Sequence, residues 1–275
     1  MITKSKQLSL FEQLRQSAPT LSDEQVMRRL CADLLERAEI VEPPVPVKML
    51  ASLRGIASIE EAEQPFAGML QPGGNGFEVF VRRGDGRERQ RFTIGHETGH
   101  TLLPGFHEAR QYRCDGPRDW LEQMCDVAGA ELLLPEHLFG PLVAEARLDL
   151  TTAERLAGQF EASIEATARR AVSLNENPAM LVVLSERHKP IEAGREEQLP
   201  ARLRVDYRVA KGNWPFIPRH KSASENGLAR TLEGEIIDEY ISVDELCSEP
   251  VGRVRVSAKR YGSKGRVLAL IERAD

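Results

Sequence analysis

Three side chains within residues 91–103 could carry out hydrolytic chemistry together: His96, Glu97 and His100. If this stretch is helical, residues four apart lie on one face with about 5–6 Å between their Cβ atoms, so both imidazoles could bind one tetrahedral cation. Zinc, the usual cation at such spacing, lowers the pKa of a bound water to about 7. Glu97 would stand beside that water and could accept its proton. The spacing therefore indicates metal-assisted hydrolysis with Glu97 as the general base.

The surroundings of the motif decide between a metal site and a surface helix that carries two histidines by chance. Phe92, Ile94 and the leucine pair at 102–103 are apolar at roughly helical spacing, which favours a helix with one buried face. Gly95 and Gly99 each cost about 1 kcal/mol relative to alanine inside a helix. Their presence indicates that another element or a ligand approaches closely, and both features favour the metal site.

A third metal ligand is expected downstream, because a catalytic zinc site usually has three protein ligands and one open position. Residues 119–135 predict a strongly apolar helix on which Glu122 and Asp126 stand four apart on one face. A buried carboxylate must be paired or metal-bound. Glu122 could supply an oxygen to the metal, and Asp126 could fix the tautomer of a ligand imidazole. Glu131 lies on the same helix, and simple solvation of either glutamate is the alternative.

The two motifs together resemble those of the ImmA/IrrE metallopeptidases. The first is His-Glu-Thr-Gly-His at 96–100, and the second is the helix 122–135, which ends in Leu-Leu-Leu-Pro. The resemblance covers about residues 22–175. Two positions depart mildly from the family pattern, since many members have asparagine where this chain has Asp126 and methionine where it has Leu134.

The resemblance implies a zinc metalloendopeptidase of gluzincin-like type. It implies three zinc ligands and one general base, namely His96, His100, Glu122 and Glu97. The best-known members cleave helix-turn-helix repressors and so switch on stress-response or mobile-element genes, which implies a protein substrate of that kind. Mn²⁺ or Fe²⁺ would accept the same ligands. His107 or Tyr112, between the motifs, could stabilise an oxyanion, or either could simply lie at the surface.

The composition is ordinary for a soluble globular protein and leaves room for two domains. Of 275 residues, 41% are apolar and 29% charged. The net charge of −5 does not suggest an obligate nucleic-acid binder. The N-terminus lacks the apolar run of a signal peptide, and no stretch approaches the roughly 18 apolar residues of a membrane span. We therefore expect a cytoplasmic protein with no membrane partner and, because its four cysteines are scattered, reduced structural thiols.

Upstream of the motif, the pattern predicts helices and a hairpin. Residues 1–20 are expected to be a flexible polar lead-in, followed by helices at about 23–38 and 47–53. Strands are predicted at 66–71 and 77–81, with a glycine-rich turn between them. The strand at 66–71 could hold an extended substrate along an exposed sheet edge, and a plain structural hairpin is at least as consistent with its sequence.

A helical pair follows the catalytic motifs. Helices over about 153–159 and 163–170 have the layout of a helix-turn-helix, in which Arg169 and Arg170 could touch a nucleic-acid backbone. The acidic residues of this pair make a poor DNA-binding face. Packing against the catalytic unit is the favoured interpretation, and direct DNA binding is the disfavoured alternative.

The last hundred residues read as strands. They are predicted at 179–184, 203–209, 235–243, 251–259 and 266–271, which suggests an α+β sensor-like domain. Some relatives carry a GAF-like domain at this end. The aromatic patch 214–219 could line a ligand pocket, although a core or domain-interface role is favoured.

The predicted fold is α+β, with a zincin-like catalytic domain that contains a small antiparallel sheet and the motif helix. The domain boundaries are a flexible lead-in at 1–20, a zinc metallopeptidase domain at 21–148, a helical segment like a helix-turn-helix at 149–177 and a C-terminal α+β domain at 178–275. The alternative function is a non-proteolytic zinc-containing regulator that binds a repressor or DNA. Glu97 argues against it, because a binding-only site needs no base.

Overall fold

The structure, a computed structural model, describes residues 8–106, 111–113, 119–192, 194, 197–262 and 265–273. It is a mixed α+β fold with two sheets, as the sequence predicts. The chain divides into two compact units. The N-terminal unit comprises Met1–Phe139 and Gly158–Ser163, and the C-terminal unit comprises Gly140–Ala157 and Ile164–Asp275. In the described ranges no helix is long and apolar enough to cross a membrane.

The described residues of the N-terminal unit contain five complete helices: α1 (Leu10–Ser17), α2 (Asp23–Arg37), α3 (Val47–Leu53), α4 (Arg87–His100) and α5 (Trp120–Leu133). The division between the units at 139–140 falls inside α6 (Glu136–Ala144). Helix α1 corrects the expectation of a flexible lead-in over residues 10–17. Phe11 is buried, donates its backbone N–H to the Leu102 carbonyl at 3.1 Å and packs edge-on against the Trp120 ring. A single apolar residue thus anchors a helix whose other residues are mostly polar.

The sheet of the N-terminal unit is mixed rather than antiparallel. Its strands are β1 (Ile56–Ala62), β2 (Gly68–Gly73), β3 (Gly76–Arg82) and β4 (Gln111–Arg113), in the order β1-β3-β2-β4. The hairpin of β2 and β3 is antiparallel as predicted, but β1 pairs with β3 in parallel. The chain passes from β1 to β2 and leaves room for β3 between them, a long-range pairing that no local pattern reveals.

The predicted substrate edge at 66–71 is also covered in part. Strand β4 pairs with β2 from Gly68 to Leu70, so these residues lie between two strands. The edge position beside them belongs to β4 instead.

Helices α4 and α5 cross at a contact made of small residues. A Cβ atom at Gly99 would lie 2.6 Å from the Ala128 Cβ, and one at Gly95 would lie 3.2 Å from the Gly129 Cα. The two glycines of the motif therefore permit close approach of another helix, which confirms the sequence argument for their presence. This crossing brings the two predicted catalytic segments together.

The C-terminal unit is built on a five-stranded antiparallel sheet in the order β6-β5-β9-β8-β7. All five predicted strands are present: β5 (Ala179–Arg187), β6 (Arg202–Lys211), β7 (Ile237–Ser242), β8 (Arg253–Tyr261) and β9 (Arg266–Glu272). Apolar side chains of the sheet pack with Trp214, Ile217 and Leu228 from the connecting segments. These residues form the core of this unit.

The helical pair α7 (Leu150–Phe160) and α8 (Ile164–Leu174) is divided between the two units. Its turn, Gly158–Ser163, belongs to the N-terminal unit, where Arg91 of α4 donates a hydrogen bond to the Glu161 carbonyl at 3.1 Å. The Phe160 ring packs edge-on against the Phe139 ring there. The turn thus packs against α4, whereas the rest of the pair belongs to the C-terminal unit.

The remainder of the helical pair contacts the C-terminal sheet. In α7, the Glu154 carboxylate accepts a hydrogen bond from Lys259 Nζ at 2.7 Å. In α8, the Arg169 guanidinium lies 5.6 Å from the centre of the Tyr207 ring, and Arg170 is only 4% exposed. Arg170, considered for a nucleic-acid backbone, is thus buried within the fold, whereas Arg169 is exposed beside the Tyr207 ring.

Candidate metal centre

The histidine pair lies on α4 as the spacing predicts. His96 and His100 are both buried, and their ring centroids are 5.2 Å apart. Glu97, between them in sequence, is also fully buried. Three ionisable side chains in the buried half of α4 require partner groups, because burial of charged or polar groups without compensation is costly.

Glu122 of α5 faces both imidazoles. Its Oε2 lies 3.3 Å from His96 Nε2, and its Oε1 lies 3.4 Å from His100 Nε2. Within the described residues, both Nε2 atoms and Glu122 Oε2 are buried without a hydrogen-bond partner. The start of α5 is fixed by Asp119, whose side chain accepts a hydrogen bond from the Glu122 backbone N–H at 3.0 Å. The carboxylate and the two imidazoles therefore converge on one region from two helices.

The spacing of these donor atoms fits a tetrahedral cation. Donors about 2.1 Å from a tetrahedral ion stand about 3.4 Å from each other, close to the separations seen between Glu122 and the two histidines. Burial disfavours the charged form of Glu122, but contacts with His100 and His96 outweigh it and hold the pKa of this carboxyl well below its ordinary value. Glu122 is thus ionised, as a metal ligand must be.

Asp126 contacts the second ring nitrogen of His96, the one that does not face Glu122. Its Oδ1 is 3.0 Å from His96 Nδ1, so an Nδ1–H tautomer would donate to this carboxylate and leave Nε2 as an acceptor toward the cluster. The structure places Asp126 where the four-residue spacing from Glu122 predicts it.

The Glu97 side chain of α4 lies against β2. Its Oε2 is 4.0 Å from His100 Nε2. A Cβ atom at Gly68 of β2 would collide with the side chains of Glu97 and Thr93, so only glycine lets this strand lie so close to the candidate base. Local spacing does not reveal this contact, since Gly68 lies 29 residues before Glu97.

The other glutamate of α5, Glu131, has a structural role. Its Oε2 pairs with Arg28 Nη1 at 2.9 Å, and its Oε1 accepts a hydrogen bond from the backbone N–H of Glu136 at 2.9 Å. Solvation was one alternative for either glutamate of this helix, and the structure buries this one in an ion pair.

Cys125 is a neighbour of the site that the sequence argument did not include. His96, His100 and Cys125 can each offer one ligand atom within 4.8 Å of the others. Burial raises the pKa of the Cys125 thiol well above its ordinary value, and Glu97 and Glu122 raise it further. Glu122 is already ionised and faces both imidazoles. Cys125 follows Glu122 by three residues on the predicted helix, and this spacing could have indicated that the two side chains lie on one face.

The two candidates for oxyanion stabilisation fall outside the side chains that the structure describes. His107 lies outside the described residues, and so does the side chain of Tyr112, of which only the strand backbone is described.

Two imidazoles, an ionised carboxylate and a second buried carboxylate are the groups of a metal-dependent hydrolase. Residues 74–172 match the family described as the IrrE N-terminal-like domain, a metallopeptidase family. This range includes both motifs, and the match supports the resemblance to the ImmA/IrrE metallopeptidases. Such a family implies a bound metal and a protein substrate.

Individual relatives match parts or nearly all of the chain. The radiation response metalloprotease IrrE of Deinococcus radiodurans is 40% identical over 65 residues. That alignment covers 21% of this chain and only 18% of the relative's length. A solved structure, a transcriptional regulator of Mycobacterium tuberculosis, covers 96% of this chain and 80% of its own with a TM-score of 0.58 and 12% identity. This second likeness shows a shared fold alone.

Proposed function

We propose that this protein is a zinc-dependent endopeptidase of the gluzincin-like type, with His96, His100 and Glu122 as the zinc ligands. The observation that carries the proposal is the position of Glu122, whose two oxygens each face one imidazole Nε2 at 3.3 and 3.4 Å. Mn²⁺ and Fe²⁺ are the alternative ions, because imidazole and carboxylate ligands suit them as well.

When bound, the zinc ion would polarise the scissile carbonyl as a Lewis acid and favour ionisation of the attacking water. Glu97 would take the proton of that water and pass it to the leaving amine. Its burial beneath β2 keeps the carboxylate away from bulk water. Asp126 would hold His96 in the tautomer that presents Nε2.

The substrate we propose is a specific helix-turn-helix repressor, whose cleavage would derepress stress-response or mobile-element genes in the cytoplasm. The match of residues 74–172 to a metallopeptidase family supports a protein substrate. The burial of Arg170 argues against the helical pair as a DNA-binding module.

We further propose a regulatory role for the C-terminal sheet, in a GAF-like sensor domain. Counted within the unit, its strand order is 2-1-5-4-3, so its first and last strands lie together inside the sheet. A chain with a hydrolytic centre in one unit and a separate, complete sheet domain in the other suits a peptidase that responds to a signal.

The test compares the wild type with Glu97→Gln, using the helix-turn-helix repressor encoded by the neighbouring gene as substrate. Metal content is measured by inductively coupled plasma mass spectrometry and cleavage by intact-mass spectrometry of the repressor. Glu88→Gln, the same change at an exposed position in the first turn of α4, is the matched control. We expect about one zinc in all three proteins, with cleavage by the wild type and the control only.

A Glu97→Gln protein that still cleaves would refute the assignment of the base. If the wild type binds the repressor without cutting it, the function is that of a non-proteolytic regulator.

A further inference from the structure

A cleft of about 530 Å³ lies on the C-terminal unit beside the edge strand β6. Its walls come from β6 at 205–207, from the segment 216–219 and from Arg266 at the start of β9. This volume is in the range of small-molecule sites. The segment 216–219 belongs to the aromatic patch that the sequence indicates as a candidate pocket wall.

The cleft is shaped by a bulge in β6. Val183 pairs with Tyr207 and the next residue, Leu184, pairs with Val205, so Asp206 is an extra residue in the strand. Bulges of this kind redirect side chains and are common next to binding sites. This one places three consecutive residues of β6 in the wall of the cleft.

The opposite wall is held in place by backbone hydrogen bonds to the same strand. His220 donates its backbone N–H to the Val205 carbonyl at 2.8 Å, and the Val205 N–H donates to the Lys221 carbonyl at 2.9 Å. Two residues of the patch, Trp214 and Ile217, are buried in the core. The wall is therefore preformed, which reduces the entropy lost when a ligand binds.

The charged groups of the cleft leave an excess of positive charge. The acid Asp206 is already neutralised by Arg187 at 2.7 Å. Arg266 pairs with Glu165 at 2.7 Å. Arg219 makes no hydrogen bond or ion pair with any residue that the structure describes. One uncompensated guanidinium thus faces a cleft in which the other charges are balanced.

An aromatic surface lies next to this cation. Phe216 is 62% exposed although the residue after it, Ile217, belongs to the core, and Tyr207 forms part of the facing wall. A large exposed aromatic side chain on a fixed segment is a frequent feature of binding surfaces.

We propose that this cleft binds a small aromatic carboxylic acid, with its ring against Phe216 and its carboxylate on Arg219. A carboxylate matches the planar guanidinium fork with two parallel hydrogen bonds. A single negative charge balances Arg219, whereas a phosphate dianion would leave one charge uncompensated. The proposal deepens the sensor role proposed for this unit, and its test does not depend on the metal centre.

The test is isothermal titration of the full-length protein with salicylate as the probe. Benzyl alcohol supplies a ring without the acid, and acetate supplies the acid without the ring. We expect salicylate to bind at least tenfold more tightly than either fragment, because each fragment makes only half of the contacts. Equal binding of acetate or benzyl alcohol would overturn the proposal.

Three variants locate the site. Arg219→Gln should weaken salicylate binding roughly tenfold or more, the loss expected for one charge-assisted contact, and Phe216→Ala should weaken it about fivefold or more. Lys221→Gln removes the same charge two residues away, outside the cleft wall, and should change the affinity less than twofold. An unchanged affinity in Arg219→Gln, or equal losses in Arg219→Gln and Lys221→Gln, would refute the assigned site.

Isothermal titration measures the heat of salicylate binding and requires no peptidase activity. The wild type and Glu97→Gln can therefore both be measured in the same way. If Glu97→Gln binds salicylate and the wild type shows no peptidase activity, the proposed peptidase function is refuted and the proposed ligand site in the cleft is supported. If the wild type cleaves its repressor and binds no salicylate, the proposed ligand site is refuted and the proposed peptidase function is supported.

Discussion

The crossing of α4 and α5 is expected to control both stability and metal affinity, and Gly99→Ala tests it. The added methyl group would lie 2.6 Å from the Ala128 Cβ and 3.3 Å from the Cys125 Cα. Ordinary contacts between carbon atoms are about 3.5–4.0 Å. Both neighbouring atoms belong to or adjoin the backbone of α5 and cannot rotate away, so the helices must separate by roughly 1 Å.

Two opposing terms set the size of the effect. Overpacking of a close contact costs about 1–3 kcal/mol. Alanine regains about 1 kcal/mol of helix propensity relative to glycine. We expect a net loss of about 1–2 kcal/mol in the free energy of unfolding, because a contact this short lies at the costly end of the overpacking range.

The same displacement would change the distances between the Glu122 carboxylate and the two imidazoles. The two imidazoles are carried by α4 and the Glu122 carboxylate by α5, with separations of 3.3 and 3.4 Å. A shift of roughly 1 Å exceeds the tolerance of about 0.5 Å for a well-formed site. Gly99→Ala should therefore bind zinc at least tenfold more weakly than the wild type.

Gly158→Ala is the matched control. Gly158 lies in α7, and no heavy atom is within 4 Å of a Cβ placed there. This variant should gain about 0.5–1 kcal/mol, because alanine restricts the unfolded chain and favours the helix. Urea denaturation followed by circular dichroism measures both stabilities, and competition with a chromophoric chelator measures zinc affinity. If Gly99→Ala were as stable as Gly158→Ala and bound zinc as tightly, the close crossing of the two helices would not have the effect argued for it.

Three further predictions concern other parts of the chain. Phe11→Ala should lower the free energy of unfolding by about 3 kcal/mol in urea titrations, because it removes the buried anchor of α1; an unchanged midpoint would mean that α1 is not anchored. Asp126→Ala should weaken zinc binding about 10–100-fold in chelator competition, since His96 loses its Nδ1 partner, and unchanged affinity would dismiss that role. Hydrogen bonding from Lys259 lowers the folded-state pKa of Glu154 below its unfolded value of about 4.3, so this stabilisation is complete above that value and is lost as the pH falls through the folded pKa. Glu154→Gln should therefore lose less stability than the wild type in acid unfolding as the pH falls from about 4.3 through the folded pKa, and equal losses would contradict the shift.

The geometry of the candidate site follows closely from local sequence spacing. Helical periodicity alone places His96 and His100 on one face and Glu122 and Asp126 on another, and the structure brings the two faces together. Gly95 and Gly99 predicted the close crossing of α4 with another element. Glycine weakens a helix and is useful inside one chiefly where another backbone must approach. Chemistry that needs defined residue types at helical spacing leaves a strong local signal.

Features that depend on long-range packing left no such signal. The parallel pairing of β1 with β3 joins strands separated by β2 in the chain, and alternation of side chains is the same in either direction. Helix α1 depends on Phe11 meeting Leu102 and Trp120, a contact invisible in a polar segment. The cleft beside β6 depends on a bulge at Asp206, which shifts the register without changing the strand's composition.

The most direct test of the metal centre compares zinc content in the wild type, Glu122→Ala and Cys125→Ala. Each protein is stripped with chelator, loaded with one equivalent of zinc, dialysed and measured by inductively coupled plasma mass spectrometry. Because the Glu122 oxygens face both imidazoles, we expect about one zinc in the wild type and in Cys125→Ala, and little in Glu122→Ala. Retention of zinc by Glu122→Ala together with its loss from Cys125→Ala would contradict the account and assign the third ligand to the cysteine.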